Sequence, residues 1–219
     1  MRAVAIALTC LAASVAQPCF SAGQDQLKDA KVAIEQVFWP KLYGKGGNTL
    51  YCDQPFTGES SQYTASAVYT GKQVKSALRC MTENQCRVVN PAFDYLLADL
   101  HNLYPELTRV ELARRNAQFG EVGDDVPSKF ADIGCDLKAT FQLIEPRDAA
   151  KGDVARAIFY MHQEYGLPIV GQLQMYQRWN ELDPPDAAEK TRNEQIEMLQ
   201  GNRNAFIDNP ELAKNLKQD

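Results

Sequence analysis

The N-terminus carries the feature that most limits how this chain can fold, because it sets the compartment. Residues 1–2 (Met-Arg) precede an apolar run over residues 3–16, and small residues follow at 21–23 (Ser-Ala-Gly), as in a secretory signal peptide with its cleavage site. We therefore expect residues 1–22 to be removed and residues 23–219 to form one domain. The run is too short for a transmembrane helix, which needs roughly 20 apolar residues. The sequence predicts a periplasmic or secreted protein without a membrane span.

In an exported chain, cysteines are expected to form disulfides. Removal of residues 1–22 leaves Cys52, Cys80, Cys86 and Cys135, an even number that predicts two disulfides in an oxidising compartment. Four cysteines allow three pairings, and the short spacing of Cys80 and Cys86 favours a local bridge, which leaves Cys52 with Cys135. A Cys-x5-Cys pair could also bind a metal ion, but no His lies nearby. The chain has 2 histidines in all, so a three-His zinc site cannot form.

Composition excludes several classes of protein. The chain has 219 residues and a formal net charge of -5, with 45% hydrophobic and 23% charged residues. These values are those of an ordinary globular domain, which excludes a disordered chain, collagen and a coiled-coil rod. Because the chain is acidic, its overall charge cannot attract nucleic acid. A polyanionic partner would require a local basic patch or a metal ion.

The hydrophobic pattern predicts a small sheet and a mainly helical C-terminal half, which is an α+β fold. Helices are expected over residues 24–38, 91–100, 153–165, 169–182 and 187–199. Strands are expected near residues 50–52, over 66–70 and over 137–144. Pro40 should end the first helix, since proline lacks the N–H that a helix needs. Gly166 and Gly201 should end two of the C-terminal helices.

Four segments in a fixed order carry a resemblance to a known family. They are residues 38–44 (Phe-Trp-Pro-Lys-Leu-Tyr-Gly), 99–105 (Asp-Leu-His-Asn-Leu-Tyr-Pro), 152–161 (Gly-Asp-Val-Ala-Arg-Ala-Ile-Phe-Tyr-Met) and 200–204 (Gln-Gly-Asn-Arg-Asn). Together they resemble the bacterial endonuclease I family over residues 38–210. The resemblance implies a monomeric, disulfide-stabilised ββα-metal nuclease. Such an enzyme uses Mg²⁺ to cut DNA, and in some members RNA, with little sequence preference.

The residues that the resemblance assigns to catalysis are changed in this chain. The family has an adjacent Glu-His pair before a Val-x-Pro/Ser-Ala segment, which supplies a metal ligand and the general base. Its second ligand is the Asn of a Val-Asn-x-x-Arg-x-Asn run. No Glu-His pair precedes Cys80: either Lys72-Gln73 stand in its place or the segment is deleted, and Gln73 cannot act as a base. The ligand Asn falls on Glu111, a carboxylate that suits Mg²⁺, and the family's Arg between the local cysteines falls near Glu83.

Two of the candidate site residues have a structural alternative. His101 could replace the missing base, but its place in the apolar stretch 93–104 also fits a buried histidine with a positional role. Glu111 could bind Mg²⁺ or pair with Arg114 and Arg115 on the surface of a helix. The second histidine, His162, is expected in the core or in an interface.

A group of basic residues could contact phosphates, although a solvated surface is the alternative. Its members are Lys72, Lys75, Arg79, Arg114 and Arg115. Two functions therefore remain open from the sequence. The first is metal-dependent hydrolysis of DNA, or of RNA as well. The second is a catalytically silent homologue that binds nucleic acid or a partner protein.

Overall fold

The computed structural model describes residues 23–114 and 117–218. The expected signal segment 1–22 and Arg115, one of the suggested nucleic-acid contacts, lie outside these described residues. Within them, no helix is long and apolar enough to cross a membrane.

Short strands and helices alternate in the first two thirds of the described chain, and helices follow. The helices are α1 (Ala30–Ala33), α2 (Gly71–Ala77), α3 (Glu83–Val89), α4 (Phe93–Leu97), α5 (Thr108–Arg114), α6 (Lys151–Tyr165), α7 (Leu173–Leu182), α8 (Ala187–Gln200) and α9 (Ala205–Asp208). The strands are β1 (Gly47–Asn48), β2 (Pro55–Phe56), β3 (Tyr63–Ala67), β4 (Leu103–Leu107), β5 (Gln118–Phe119), β6 (Ser128–Phe130), β7 (Cys135–Ala139) and β8 (Leu143–Glu145). They form the sheets β1-β2, β3-β4 and β5-β8-β7-β6. The expected α+β class is confirmed.

The C-terminal half is built around α6, as the sequence predicts. This helix packs against α7 and α9 and is buried along most of its length. Gly166 and Gly201 end α6 and α8 in the left-handed conformation, with φ of 63° and 87°, which glycine adopts without a steric penalty. Arg156 of α6 forms a buried ion pair with Glu189 of α8, with Nε–Oε1 at 2.8 Å. The predicted C-terminal helices are therefore confirmed.

The first helix differs from its prediction at both ends. It begins at Ala30, where the Asp29 side chain accepts a hydrogen bond from the Val32 N–H and caps the helix. Beyond α1 it continues as a π-helix over Ile34–Leu42, with Pro40 inside. Because a π-helix bonds residue i to i+5, its wider turn accommodates a proline ring that would clash in an α-helix. The prediction that Pro40 ends the helix is wrong.

Two helices between residues 70 and 90 were not expected. Each begins with a capping box, Thr70 with Gln73 in α2 and Thr82 with Gln85 in α3. In a capping box the hydroxyl and the side chain three residues later satisfy each other's backbone N–H groups. Thr70 therefore starts a helix, and the strand expected over 66–70 ends at Ala67 in β3.

Three further predicted elements are shorter than expected or are replaced. The helix expected over 91–100 is α4, Phe93–Leu97. The strand expected over 137–144 is a hairpin of β7 and β8. Residues 50–52 form a turn rather than a strand, and its Tyr51 N–H donates to the Glu106 carboxylate on β4 at 2.7 Å. The Leu50 N–H also donates to the Pro105 carbonyl oxygen on β4 at 3.0 Å, so a side chain and the backbone of β4 together hold this turn.

The two disulfides have the pairing that the cysteine spacing favours. Cys52 is joined to Cys135 at a sequence separation of 83, and Cys80 is joined to Cys86 at a separation of 6. The first bridge ties the turn after β1 to the start of β7. The second links the end of α2 to α3.

Candidate nuclease site

A strand pair followed directly by a helix forms the centre of the candidate site. β3 pairs antiparallel with β4, and α5 begins at Thr108, immediately after β4, and packs against both strands. Ser66 of β3 lies opposite Tyr104 of β4, so their side chains share one face of the pair. This face lies under α5 and meets the side chain of Glu111. We refer to β3, β4 and α5 as the ββα unit.

Glu111 contacts one side chain from the strand and one from its own helix. The Ser66 hydroxyl donates a hydrogen bond to Glu111 Oε2 at 2.5 Å. Arg114 Nη1 lies 3.5 Å from the same oxygen, and the Glu111 side chain is 30% exposed. Glu111, the candidate metal ligand, thus forms the expected pair with Arg114.

Arg114 is buried and is therefore not a nucleic-acid contact. The residue is 2% exposed, and its guanidinium donates to the carbonyl oxygens of Ala67 and Val68 at 2.7 and 2.6 Å. It also lies over the ring of Phe119, 4.8 Å from its centroid. The suggestion that Arg114 binds phosphate is corrected, because the side chain is buried and its Nη1 and Nη2 atoms donate to backbone carbonyl oxygens at and just after the end of β3.

Ser66 and Ala67 are the last two residues of β3 and stand directly before Val68. The Ser66 side chain contacts Glu111. Lys72 and Gln73 lie in α2 instead, where Gln73 completes the capping box. The sequence pattern could not reveal the contact between Ser66 and Glu111, since a serine in a strand carries no catalytic signal.

His101 is buried away from Glu111. It is 0% exposed, its Nε2 lies 3.1 Å from the carbonyl oxygen of Asn202, and its ring packs on Tyr160. Burial lowers the pKa of His101 to about 4, so the imidazole is neutral near pH 7. Glu111 is not among its partners in the described part of the chain. The interpretation as a replacement base is corrected in favour of the positional role.

The Asp-x-His-Asn segment that carries the resemblance is structural here. The Asp99 carboxylate accepts hydrogen bonds from the hydroxyls of Tyr160 and Tyr165 at 2.7 and 2.6 Å. The Asn102 side chain bonds both the N–H and the carbonyl oxygen of Tyr69, at 2.7 and 2.9 Å. These contacts fix the start of β4 against α6 and against the segment that follows β3. His162 also makes a structural contact, since its Nδ1 lies 2.7 Å from the Leu167 carbonyl oxygen.

Glu106 is a site residue that the sequence analysis missed. It lies on β4 opposite Thr64, is 0% exposed, and accepts hydrogen bonds from the N–H groups of Tyr51 and Leu107, both at 2.7 Å. Burial raises the pKa of Glu106 to about 7, the two backbone hydrogen bonds oppose this shift, and the charge of Glu111 adds to it. Alternation along β4 would have marked it as inward-facing, but a buried carboxylate is not expected from its residue type.

We expect the buried Glu106 to lower stability as the pH rises. Its folded pKa of about 7 exceeds its ordinary value of 4.5, so the folded state binds this proton more tightly than the unfolded chain. The resulting stabilisation is complete below about pH 4.5 and is lost as the pH rises through 7, by roughly 3 kcal/mol. The measurement is the free energy of unfolding in urea from pH 4.5 to 7.5, taken as the difference between the wild type and Glu106→Gln at each pH.

The difference between the wild type and Glu106→Gln is needed because His101 changes the stability with pH in the opposite direction. Its lowered pKa removes stability as the pH falls from about 6.5 towards 4, and both proteins share this effect. A pH-independent difference between wild type and Glu106→Gln would contradict the prediction.

The remaining basic candidates lie on α2 or directly after it, close to β3 along the chain. Lys72 and Arg79 are exposed and Lys75 is half-buried, and α2 begins four residues after β3 ends. A separate cleft of about 900 Å³ at the other edge of β4 contains charges of both signs, including Lys41, Lys45, Asp53 and Asp153. Within residues 71–79, the charged side chains are those of Lys72, Lys75 and Arg79.

A strand pair with a helix that carries Glu111 against its inner face defines a nuclease-like unit of the ββα type. The sequence profile of the family described as Endonuclease I matches residues 46–211. This chain belongs to the endonuclease I family.

Bacterial relatives are named as nucleases. An extracellular deoxyribonuclease of Aeromonas hydrophila is 28% identical over 91% of this chain and 95% of its own length. An extracellular ribonuclease of Bacillus amyloliquefaciens is 37% identical over 52% of this chain, and a periplasmic deoxyribonuclease of Aeromonas hydrophila is 32% identical over 53%. The last two matches cover 45% and 49% of the relatives, so the chain spans about half their length.

Proposed function

We propose that this protein is an exported, monomeric member of the endonuclease I family that binds nucleic acid and cuts it very slowly. One observation carries the proposal: the side chain of β3 that meets Glu111 is Ser66. We assign Ser66 and Ala67, the last two residues of β3, to the positions at which the family pattern implies a metal ligand and a general base. Neither side chain can take a proton from water near neutral pH. Loss of a general base typically costs 10²- to 10⁴-fold in rate, and loss of a ligand adds to it.

Binding of nucleic acid is supported by the family and by the position of α2. The relatives are named deoxyribonucleases and a ribonuclease, and they are named extracellular or periplasmic, which fits the predicted export signal. Lys72, Lys75 and Arg79 lie on or next to the helix that follows β3. Since the whole chain is acidic, this local group supplies the positive charge that phosphates need.

Mg²⁺-dependent hydrolysis of DNA or RNA is the second candidate. The observation that favours it is Glu111, a partly exposed carboxylate on α5 at the place of the family's Asn ligand. The two candidates differ in turnover and not in the nucleic acid that they would contact.

A nicking assay separates the two candidates. The oxidised protein is incubated with supercoiled plasmid and Mg²⁺, with EDTA as the control. We expect nicking at least about 100-fold slower than that of an active family member at equal concentration. A comparable, EDTA-sensitive rate would establish the second candidate instead.

Charge reversal on α2 tests the binding surface. We expect Lys75→Glu with Arg79→Glu to weaken binding to a short DNA duplex at least about 10-fold and to reduce the slope of log affinity against log salt by about two. Lys190→Glu is the matched control, because Lys190 is an exposed lysine on α8, a helix remote from α2 in the chain. Equal losses in both variants would show that the effect is one of net charge and not of this surface.

A further inference from the structure

We infer that the ββα unit of this chain holds no divalent cation, so that the nucleic-acid binding proposed above does not depend on one. The family pattern implies a cation held between a strand and a helix. In this chain the same elements offer Ser66 and Glu111. Whether a cation fits depends on how many oxygen atoms these side chains and their neighbours leave free.

The Glu111 carboxylate already has partners. Its Oε2 accepts the Ser66 hydroxyl at 2.5 Å and lies 3.5 Å from Arg114 Nη1. The guanidinium is fixed, because it is buried and donates to two backbone carbonyl oxygens. A cation bound to Glu111 would face this fixed positive charge at short range, which opposes binding.

The strand does not supply the second ligand that the family pattern implies. That pattern also has an Arg at the place of Arg114, but it combines it with a strand Glu and a helix Asn, which are two protein ligands. Ser66 offers a neutral hydroxyl that is 1% exposed and is already shared between Glu111 and Arg114. Mg²⁺ in proteins is held by carboxylates, carbonyl oxygens and water, so Glu111 remains as a single suitable ligand.

The other carboxylate of the unit cannot complete the site. Glu106 is fully buried, and each of its oxygens accepts a backbone N–H. In the described ranges 23–114 and 117–218, no group of three or more His, Cys, Asp and Glu side chains is placed to hold a metal ion. One partly exposed carboxylate beside a fixed guanidinium does not fit a cation that demands near-octahedral oxygen coordination.

Manganese binding, followed by the loss of the free Mn²⁺ signal in electron paramagnetic resonance, tests the inference without nucleic acid. We expect Glu111→Gln to change Mn²⁺ binding by the full-length oxidised protein no more than Asp136→Asn does. Asp136 is the matched control, since it accepts the Ser128 hydroxyl at 2.5 Å, as Glu111 accepts Ser66, on a different hairpin. Ser66→Glu places a second carboxylate opposite Glu111, and it should tighten binding at least about 10-fold. Adding Glu111→Gln to it should remove the gain.

Two results would overturn the inference. In the first, the wild-type protein binds one Mn²⁺, and Glu111→Gln weakens this binding at least 10-fold whereas Asp136→Asn does not. In the second, the affinity for a DNA duplex falls at least 10-fold when EDTA replaces Mg²⁺ at constant ionic strength. Equal affinity in the two buffers would support the inference. Absence of DNA binding in both buffers would instead contradict the proposed function, while the Mn²⁺ result would still decide the cation site.

Discussion

Replacing Ser66 by Glu and Ala67 by His is expected to raise Mg²⁺-dependent nicking of supercoiled plasmid by at least about 100-fold over the wild-type protein. The structure places both residues at the end of β3, and Ser66 already contacts Glu111. The new Glu would give the strand a carboxylate opposite Glu111, and the new His would add the base that the resemblance implies. The rate of conversion of supercoiled to open-circular plasmid measures the change.

The matched control keeps the size of the new side chains and removes their chemistry. Ser66→Gln with Ala67→Gln introduces neither a carboxylate nor a base, so its nicking rate should stay at the wild-type level. Addition of EDTA should abolish the gain in nicking rate of the variant that carries Ser66→Glu and Ala67→His. If that variant is folded by circular dichroism and still nicks at the wild-type rate, the assignment of these two positions is wrong.

The long disulfide is expected to provide the largest single contribution to stability. Replacement of Cys52 and Cys135 by Ala should lower the free energy of unfolding by about 4 to 5 kcal/mol, because a bridge over a long loop strongly restricts the unfolded chain. The same change at Cys80 and Cys86 should cost only about 2 kcal/mol, since that loop is short. The sequence separations are 83 and 6. Guanidinium unfolding of both double variants provides the comparison.

Alanine is the appropriate replacement because Cys52 and Cys135 are 3% and 1% exposed, and a serine hydroxyl there would add the cost of an unpaired polar group. A fluorescence signal for Trp179, which is buried in the C-terminal core, follows global unfolding in both variants. Equal losses from the two bridges would show that loop length does not control their contribution.

Local signals in the sequence were sufficient for the C-terminal half. Helix periodicity and the glycines at 166 and 201 mark the boundaries of α6 and α8 because both features act within a few residues. The π-helix over Ile34–Leu42 could not be predicted in this way, since the sequence shows a proline and not the wider hydrogen-bonding pattern that accepts it. The capping boxes of α2 and α3 were visible as Thr-x-x-Gln, but no long apolar repeat drew attention to them.

The candidate site was only partly predictable for a different reason. Glu111 could be placed from its motif, whereas Ser66 became recognisable only through the pairing of β3 with β4 and the packing of α5. For His101, the apolar surroundings favoured burial, and the structure agrees. The position of the Glu106 carboxylate depends in part on the N–H of Tyr51, which lies in a turn far away in the sequence.

The nesting of the two disulfides has a consequence for how the protein is made. A chain exported from its N-terminus presents Cys52, then Cys80 and Cys86, and Cys135 last. Oxidation in order of emergence would join Cys52 to Cys80 and Cys86 to Cys135, which is not the native pairing. The native bridges then form only if early ones are exchanged by thiolate attack. Maturation of this chain should therefore depend on a disulfide isomerase in the receiving compartment, and not on an oxidase alone.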